Sequence, residues 1–392
     1  MLCRCKYLKR LSDKKNAAIP TKLVYLDNCA TTPVDPQVIG AMEKACRKTW
    51  GNPSSIHLAG LEAAELLDSC KIDVGQFLAC PPEQVYFSAG ATDALFTAIK
   101  GFNPRKYRFI STVTEHSALI SPLQHLQKKG FNVDFLKVGS DGQIHLEELE
   151  KLLKNGPAVF FYSPINHETG SIQPTKDIYQ LKKKYDLTIV MDAVQAVTRL
   201  STEKWRPYYD IITLGAHKFY APKGTGILAI KNKNIRLHRF RHGSRQEGGF
   251  FPGTQNMPGI AACSAALKLL SDEELRRLKI LHNEGLQILQ REVSQFVINT
   301  PPESQTGILN ISLMGKNTDS MEELIMALAN EQICISRFSA CNGKIKIPSL
   351  ILTEMGFSPE RTLTSLRISC GRFNSRDDFF RLARFLKEWQ KR

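Results

Sequence analysis

The sequence lacks the features that mark membrane proteins, zinc-binding domains and disulfide-rich secreted domains. It contains no run of about 18 consecutive apolar residues, so neither a membrane-spanning helix nor a membrane partner is expected. Its ten cysteines include no Cys-x-x-Cys pair and no regular framework, which argues against a zinc site and a disulfide scaffold. Free thiols in such numbers suit a reducing cytosol, so a cytoplasmic location is expected. Cys46, Cys70, Cys263 and Cys370 lie in apolar or helical stretches and are expected in the core.

A motif for reading nucleic acid is also missing, although the formal net charge is +15. Much of the positive charge lies in the first 22 residues and in residues 231–245, without zinc-finger spacing or an aromatic-interleaved basic motif. We expect a basic, solvated surface suited to acidic partners, and no nucleic-acid partner. The first 22 residues contain no long apolar run and do not resemble a secretory signal. A disordered basic extension over residues 1–23 is expected, with an organelle-targeting peptide as the alternative.

Strand and helix patterns alternate along the chain from about residue 82 to residue 230. The candidate strands are 84–87, 107–113, 158–162, 188–191, 211–214 and 226–230, and helical patterns between them include 119–129, 146–153 and 178–184. This alternation predicts an α/β fold with a mostly parallel sheet sandwiched by helices. From about residue 258 a long helical stretch runs through residue 290, and a final helix is predicted near 376–390. We therefore predict a large domain over residues 24–262 and a smaller α+β domain over residues 263–392.

Polar residues that could do chemistry follow four consecutive predicted strands. In chain order they are His116; Asn166 and His167; Asp192 and Gln195; and His217 and Lys218. Ligands of such sheets bind at the carboxyl ends of the strands, so these side chains are expected at one edge.

The composition of that edge suits pyridoxal 5'-phosphate (PLP). The cofactor needs a lysine for a Schiff base and an acid beside its pyridine nitrogen, and Lys218 and Asp192 can fill these roles. Residues 88–92 (Ser-Ala-Gly-Ala-Thr) lie between a predicted strand and a helix that begins near Thr92. Small residues there let backbone N–H groups close on a phosphate.

Seven sequence motifs resemble those of group I cysteine desulfurases, which belong to the class V aminotransferase-like enzymes. They are residues 25–33 (Tyr-Leu-Asp-Asn-Cys-Ala-Thr-Thr-Pro), 51–55 with His57, 90–92, 114–116, 217–218 with 222–224, 252–256, and 366–369 with 371–372. The resemblance runs from about residue 24 to the end of the sequence, in the same order. Residues 246–258 also resemble selenocysteine lyases. The resemblance implies the type I fold of PLP-dependent transferases and a homodimer.

The resemblance also assigns roles to individual residues. Lys218 would form the Schiff base and move protons, His116 would stack on the pyridine ring and act as an acid or base, and Arg367 would pair with the substrate carboxylate. The remaining roles concern the cofactor. Asp192 would bind the ring nitrogen, Gln195 and His167 would lie near the ring hydroxyl, and Thr92, His217 and, across a subunit interface, Thr254 would hold the phosphate. Asn166 and Ala91 would also contact the cofactor.

Cys341 lies in a polar stretch, residues 339–344, that resembles the catalytic loop of these desulfurases. Its thiolate, favoured by Lys344 or Arg337, would take sulfur from L-cysteine and leave L-alanine. The resulting persulfide would pass to a sulfur-acceptor or scaffold protein, in iron–sulfur cluster assembly or another thiolation pathway.

Four positions depart from the family pattern. His167 stands where a second Asn is usual, Gly215 where a phosphate-binding Ser is usual, Phe251 where Arg is common and Asp93 where Glu is usual. These departures leave open weaker PLP binding or an altered substrate preference. Two alternatives therefore stay in view: a selenocysteine lyase or another PLP-dependent lyase or aminotransferase of this fold, and a non-catalytic scaffold that binds a sulfur-acceptor partner through its basic surface.

Overall fold

A computed structural model of the protein describes residues 23–337 and 348–391. The strands of this part are β1 (Val24–Tyr25), β2 (Val85–Ser88), β3 (Arg108–Thr112), β4 (Val133–Leu136), β5 (Ala158–Tyr162), β6 (Leu187–Asp192), β7 (Ile211–Gly215), β8 (Gly226–Ile230), β9 (Phe296–Ile298), β10 (Ile308–Leu313), β11 (Ile333–Cys334) and β12 (Ser365–Ser369). The helices are α1 (Pro36–Lys48), α2 (Leu58–Leu78), α3 (Ala91–Gly101), α4 (Ser117–Lys128), α5 (Leu146–Leu153), α6 (Thr175–Gln180), α7 (Met257–Lys268), α8 (Asp272–Glu292), α9 (Thr318–Asn330), α10 (Leu350–Glu354), α11 (Pro359–Leu363) and α12 (Arg376–Gln390).

Strands β2 to β8 form a central sheet in the order β2-β8-β7-β6-β5-β3-β4. The neighbours from β7 through β6, β5 and β3 to β4 are parallel, whereas β8 runs antiparallel to both β7 and β2. The carboxyl ends of the other six strands therefore lie at one edge, together with the beginning of β8. The predicted mostly parallel α/β sheet is confirmed. Strand β4 was not predicted, because its four residues at the edge of the sheet are only half buried and carry a weak apolar signal.

Helices cover both faces of this sheet, and β5 shows why. All five of its residues are buried, and successive side chains enter different cores. Val159 and Phe161 pack with α3 and α4, whereas Phe160 and Tyr162 pack with α2, α5 and α7. A strand buried on both faces reads as a continuous apolar run, which is what the sequence shows there.

The C-terminal part forms a second, smaller packing unit. Strands β9, β10 and β12 make an antiparallel sheet, and β1 pairs in parallel with β11. Apolar residues of β1, α8, α9 and α12 share one core with this sheet. The long predicted helix from residue 258 is two helices, because α7 ends at Lys268 and Ser271 caps α8 by accepting from the Glu274 backbone N–H (3.2 Å).

Residue 262, the predicted end of the large domain, lies inside α7, and β1 packs with the C-terminal unit. The division into 24–262 and 263–392 stays a prediction.

Cys70, Cys263 and Cys370 are buried as expected, but the expectation for Cys46 is wrong, because it lies exposed on α1. Among the described residues, the helices are all too short or too polar to cross a membrane.

Candidate active site

A cavity of about 830 Å³ opens at the carboxyl edge of the central sheet. Strands β3, β5, β6 and β7 deliver residues to it from the loops that follow them, since their carboxyl ends meet there. Of the residues singled out in the sequence, the cavity is lined by Ala91, Thr92, His116, His167, Asp192, Gln195, His217, Lys218 and Arg367. Residues from four separate loops and from β12 thus converge on one space.

Lys218 ends a single 3₁₀ turn that follows β7 directly. Its Nζ donates to the backbone carbonyls of Cys29 (2.6 Å) and Ala30 (2.9 Å). Burial lowers the pKa of Lys218 from its usual value, against the opposing effects of Cys29 and Asp192. A lowered pKa increases the fraction of neutral amine, which is the form that attacks a carbonyl carbon.

Asp192 is the last residue of β6, the strand next to β7. It is buried, and its carboxylate accepts from the Val194 backbone N–H (3.1 Å). Burial raises the pKa of Asp192 to about 6, although the Val194 hydrogen bond and the charge of Lys218 act in the other direction. A cationic group placed in the cavity beside this carboxylate would favour its ionised form.

Gln195 is held from both sides. Its Nε2 donates to the Cys29 carbonyl (3.1 Å), and its Oε1 accepts from Arg199 Nε (3.2 Å). The Cys29 carbonyl therefore receives hydrogen bonds from both Gln195 and Lys218, which links β6 and β7 to the segment after β1.

His116 and His167 both line the cavity and contact each other edge to face, with ring centroids 5.2 Å apart and planes at 76°. His116 caps α4, and its Nδ1 accepts from the Ala118 backbone N–H (3.1 Å). Because this nitrogen accepts, the neutral ring carries its proton on Nε2. Burial, together with the positive charges of Lys218 and Arg367, lowers the pKa of His116 to about 4. Burial and the neighbouring His116 lower the pKa of His167 well below its usual value, so both rings are neutral at neutral pH.

The first turn of α3 forms another wall, with Ala91 and Thr92 at its N-terminus. A Cβ at Gly226 would lie 2.4 Å from the Gly90 carbonyl carbon, so only glycine lets β8 run this close to the turn. His217 stands nearby, with its Nδ1 3.1 Å from Thr31 Oγ1. The N-terminus of a helix of this length offers free N–H groups and a positive dipole end to an anion.

Arg367 closes the cavity from β12 of the C-terminal unit. It is 1% exposed; Nη2 donates to Asp27 Oδ1 (3.0 Å) and Nη1 to the His167 carbonyl (3.1 Å). Burial opposes its charge, but the neighbouring Cys29 and Asp27 side chains raise the pKa of Arg367 overall. Its Nε is buried without a hydrogen-bond partner in the described part of the chain.

The comparisons with known proteins agree with this geometry. Residues 24–382 match the family described as Aminotransferase class-V. The mitochondrial cysteine desulfurase of Arabidopsis thaliana is 31% identical over 375 residues, 93% of this chain and 82% of that protein. The chain belongs to this family and, within it, to the cysteine desulfurases.

Further relatives support the same assignment, and the resemblance noted in the sequence is confirmed. Cysteine desulfurase IscS of Proteus mirabilis (strain HI4320) is 31% identical over 366 residues, 91% of this chain and 89% of that protein. A solved NifS-like protein superposes with a TM-score of 0.83 at 30% identity, covering 94% of this chain and 98% of that one.

Two of the predicted site residues that the structure describes are not among those lining the cavity. The Asn166 side chain ties the loop after β5 to the loop after β3. Its Nδ2 donates to the Thr114 carbonyl (2.9 Å), and its Oδ1 accepts from the backbone N–H groups of Glu168 and Thr169 (2.9 and 3.0 Å). Thr254 lines a smaller neighbouring cleft. Cys341 lies outside the described residues.

Two residues of the site were missed from the sequence. Cys29 lines the cavity, and Glu115 lies buried behind it, accepting from Thr112 Oγ1 (3.0 Å) and from Ser163 Oγ (2.5 Å). Burial raises the pKa of Glu115 to about 7. Both lie inside motifs that carry the family resemblance, residues 25–33 and 114–116, but the resemblance assigned roles only to other residues.

Proposed function

We propose that the protein is a PLP-dependent cysteine desulfurase that transfers the sulfur of L-cysteine to Cys341 and releases L-alanine. The observation that carries this proposal is the placement of Lys218 and Asp192 at the ends of neighbouring parallel strands, between the N-terminus of α3 and the guanidinium of Arg367. The relatives named cysteine desulfurase support the choice of L-cysteine as substrate.

The residues of the cavity fit PLP. Lys218 would form the Schiff base, Asp192 would face the ring nitrogen, and His116 would lie on the ring. The N-terminus of α3, with Ala91, Thr92 and His217, would hold the phosphate. Bound PLP would supply an electron sink for the bonds at the substrate Cα.

Each side chain then has a definite task. Arg367 holds the substrate carboxylate in two parallel hydrogen bonds, a geometry for which its planar fork is suited. Lys218 Nζ takes the proton from Cα and returns it to another atom of the bound substrate. His116 donates a hydrogen bond to the bound substrate or cofactor through Nε2–H, because its Nδ1 accepts from the Ala118 backbone N–H. The Cys341 thiolate attacks the substrate sulfur and keeps it as a persulfide.

A homodimer would complete the site. Thr254 is exposed beside the cavity, where a second subunit can use it for phosphate binding. Apolar side chains around residues 50–61 are also exposed, namely Trp50 (71%), Ile56 (93%), Leu58 (73%) and Leu61 (56%). Covering such a cluster is a typical use of a subunit interface.

The sulfur of the persulfide would pass to a sulfur-acceptor or scaffold protein. The reducing cytosol is the proposed compartment.

The test is an assay of purified, PLP-loaded protein with L-cysteine and a reductant, in which sulfide and alanine are measured together. We expect equal, continuous release of both products by the wild type and by Cys46→Ala, which removes only an exposed thiol on α1. Turnover should be lost in Cys341→Ala. Continuous release that survives this substitution would indicate a lyase, and a much faster reaction with L-selenocysteine would indicate a selenocysteine lyase. A protein that binds PLP and releases nothing would contradict the proposal.

A further inference from the structure

Cys29 is fixed in the cavity wall by hydrogen bonds from three directions. Its carbonyl accepts from Lys218 Nζ (2.6 Å) and Gln195 Nε2 (3.1 Å), and its backbone N–H donates to Ser369 Oγ (3.0 Å). The residue is 2% exposed and lines the same cavity as Lys218 and Arg367. The Cys29 backbone is therefore fixed at a defined place in the cavity wall, and the residue is sheltered from bulk water.

Arg367 independently indicates what binds beside this thiol. Its Nε is buried without a hydrogen-bond partner among the described residues, and a buried guanidinium N–H left unpaired is costly unless a ligand supplies an acceptor. A carboxylate is the acceptor that a guanidinium fork fits best. Under the proposed function, an amino acid would lie with its carboxylate at Arg367 and its amino group at the Lys218 end.

Cys29 lies next to both of these anchor points. Its carbonyl accepts from Lys218 Nζ (2.6 Å), and its backbone N–H donates to Ser369 Oγ (3.0 Å), two residues after Arg367 on β12. An amino acid held between Lys218 and Arg367 would therefore lie beside Cys29 in the wall of the cavity.

We propose that Cys29 is a second sulfur-accepting nucleophile of this active site, which takes the sulfur of L-cysteine directly inside the cavity. The proposal rests on the proposed function, because it needs L-cysteine to be bound and activated there. It adds to Cys341 a thiol that the structure places in the cavity wall itself.

The transfer balances without any external oxidant. The neutral Lys218 amine accepts the proton of the Cys29 thiol, and the thiolate attacks the sulfur of the bound L-cysteine. An S–S bond forms, the Cβ–S bond breaks, and its electron pair stays on Cβ. Cβ takes up the proton held by Lys218, so the products are L-alanine and a persulfide on Cys29. The Cys29 sulfur is oxidised and the substrate carbon is reduced by the same pair of electrons.

The test uses the PLP-loaded Cys341→Ala variant with a small excess of L-cysteine and no reductant. We expect about one equivalent of alanine per subunit followed by a stop, because Cys29 is consumed and its persulfide is shielded. Alkylation and peptide mapping should find one added sulfur atom on the peptide that contains Cys29. This mapping needs no substitution at Cys29, so it does not depend on how a Cys29 variant folds.

The same reaction with Cys29→Ser/Cys341→Ala should give no alanine. Cys263→Ser/Cys341→Ala is the matched control, since Cys263 is equally buried but lies on α7 and does not line the cavity. Wild-type protein that forms alanine, combined with a Cys341→Ala variant that forms none, would overturn the role of Cys29 and leave the proposed function standing. Added sulfur on another peptide would overturn it as well. Wild-type protein that forms no alanine would instead remove the proposed function.

Discussion

Two cavities open at opposite edges of the central sheet, and they differ in how their charged groups are held. The cavity at the carboxyl edge has a volume of about 830 Å³, and the one at the amino edge, lined by Lys100, Lys106, Lys182 and Arg236, about 1060 Å³. Lys218 at the carboxyl edge is partly buried and donates hydrogen bonds to two backbone carbonyls. Lys106 and Arg236 at the amino edge are exposed.

The amino-edge cations have a structural explanation. In a parallel sheet covered by helices, the helices end at the amino edge of the strands. Lys100 lies in the last turn of α3, and Lys182 lies in the short 3₁₀ turn that continues α6 and pairs with Asp210. Cations are stabilised there by the helix dipole. The larger cavity is therefore explained by the fold, whereas buried groups with shifted pKa values, such as Asp192 and His116, mark the smaller one as the place for chemistry. Volume alone does not identify an active site.

The strongest way to break this comparison is to remove one lysine from each cavity. Lys218→Ala should lower kcat by about 10³-fold or more, because it removes both the attachment of the cofactor and the group that moves the proton. Lys106→Ala removes an exposed amine of the amino-edge cavity and should leave kcat unchanged. Alanine formation from L-cysteine measures both. Similar losses in the two variants would mean that the amino-edge cavity takes part in the reaction.

Sequence patterns could locate the carboxyl edge because the strands that form it are buried on both faces. Continuous apolar runs marked strands such as β5 and β7. The polar residues at the ends of β3, β6 and β7, namely His116, Asp192 and Lys218, lie together in the structure. The limits have physical reasons too. Strand β4 was missed because an edge strand is half exposed. The break between α7 and α8 was missed because only Leu269, Leu270 and Ser271 separate the two helices, and two of these residues are apolar.

The side chains of the site were harder to predict than its position. Asn166 follows β5 at the expected place, but its side chain makes hydrogen bonds to its own loop and to Thr114 after β3. Cys29 enters the cavity from the segment after β1, which is distant in sequence from the strands and is brought there by the carbonyl contacts of Lys218 and Gln195. Such long-range contacts leave no periodic signal in the sequence.

A second difference between the two edges is the free energy of burying acid groups. Burial raises the pKa of Glu115 from 4.5 to about 7, so the folded protein binds this proton more tightly than the unfolded chain does. The stabilisation from the proton is fully present below pH 4.5 and is lost as the pH rises through about 7. Glu115→Gln removes the charge and keeps the shape. The variant should gain stability over the wild type as the pH rises across this window, by on the order of 2 kcal/mol at its upper end.

Denaturant unfolding of the cofactor-free proteins at several pH values measures this gain. Asp186→Asn is the control at the other edge, because Asp186 is an exposed carboxylate of the amino-edge cavity. A Glu115→Gln difference that is flat with pH would show that the carboxyl edge does not hold this acid group in a desolvated state.

The smallest expected effect concerns the phosphate end of the carboxyl-edge cavity. Gly215 ends β7, and a Cβ built there would lie 3.3 Å from Ala91 Cβ and 3.8 Å from the Ala91 backbone nitrogen, at the first turn of α3. Gly215→Ser would thus bring a hydroxyl next to the proposed phosphate site at the cost of a shift of a few tenths of an ångström. We expect PLP to bind about fivefold more tightly, since one added hydrogen bond contributes about 1 kcal/mol. Gly215→Ala adds the Cβ without the hydroxyl and should bind PLP no more tightly than the wild type. Titration of the cofactor-free proteins with PLP, followed by absorbance, separates the two effects, and equal affinities for the Ser and Ala variants would place the phosphate away from this turn.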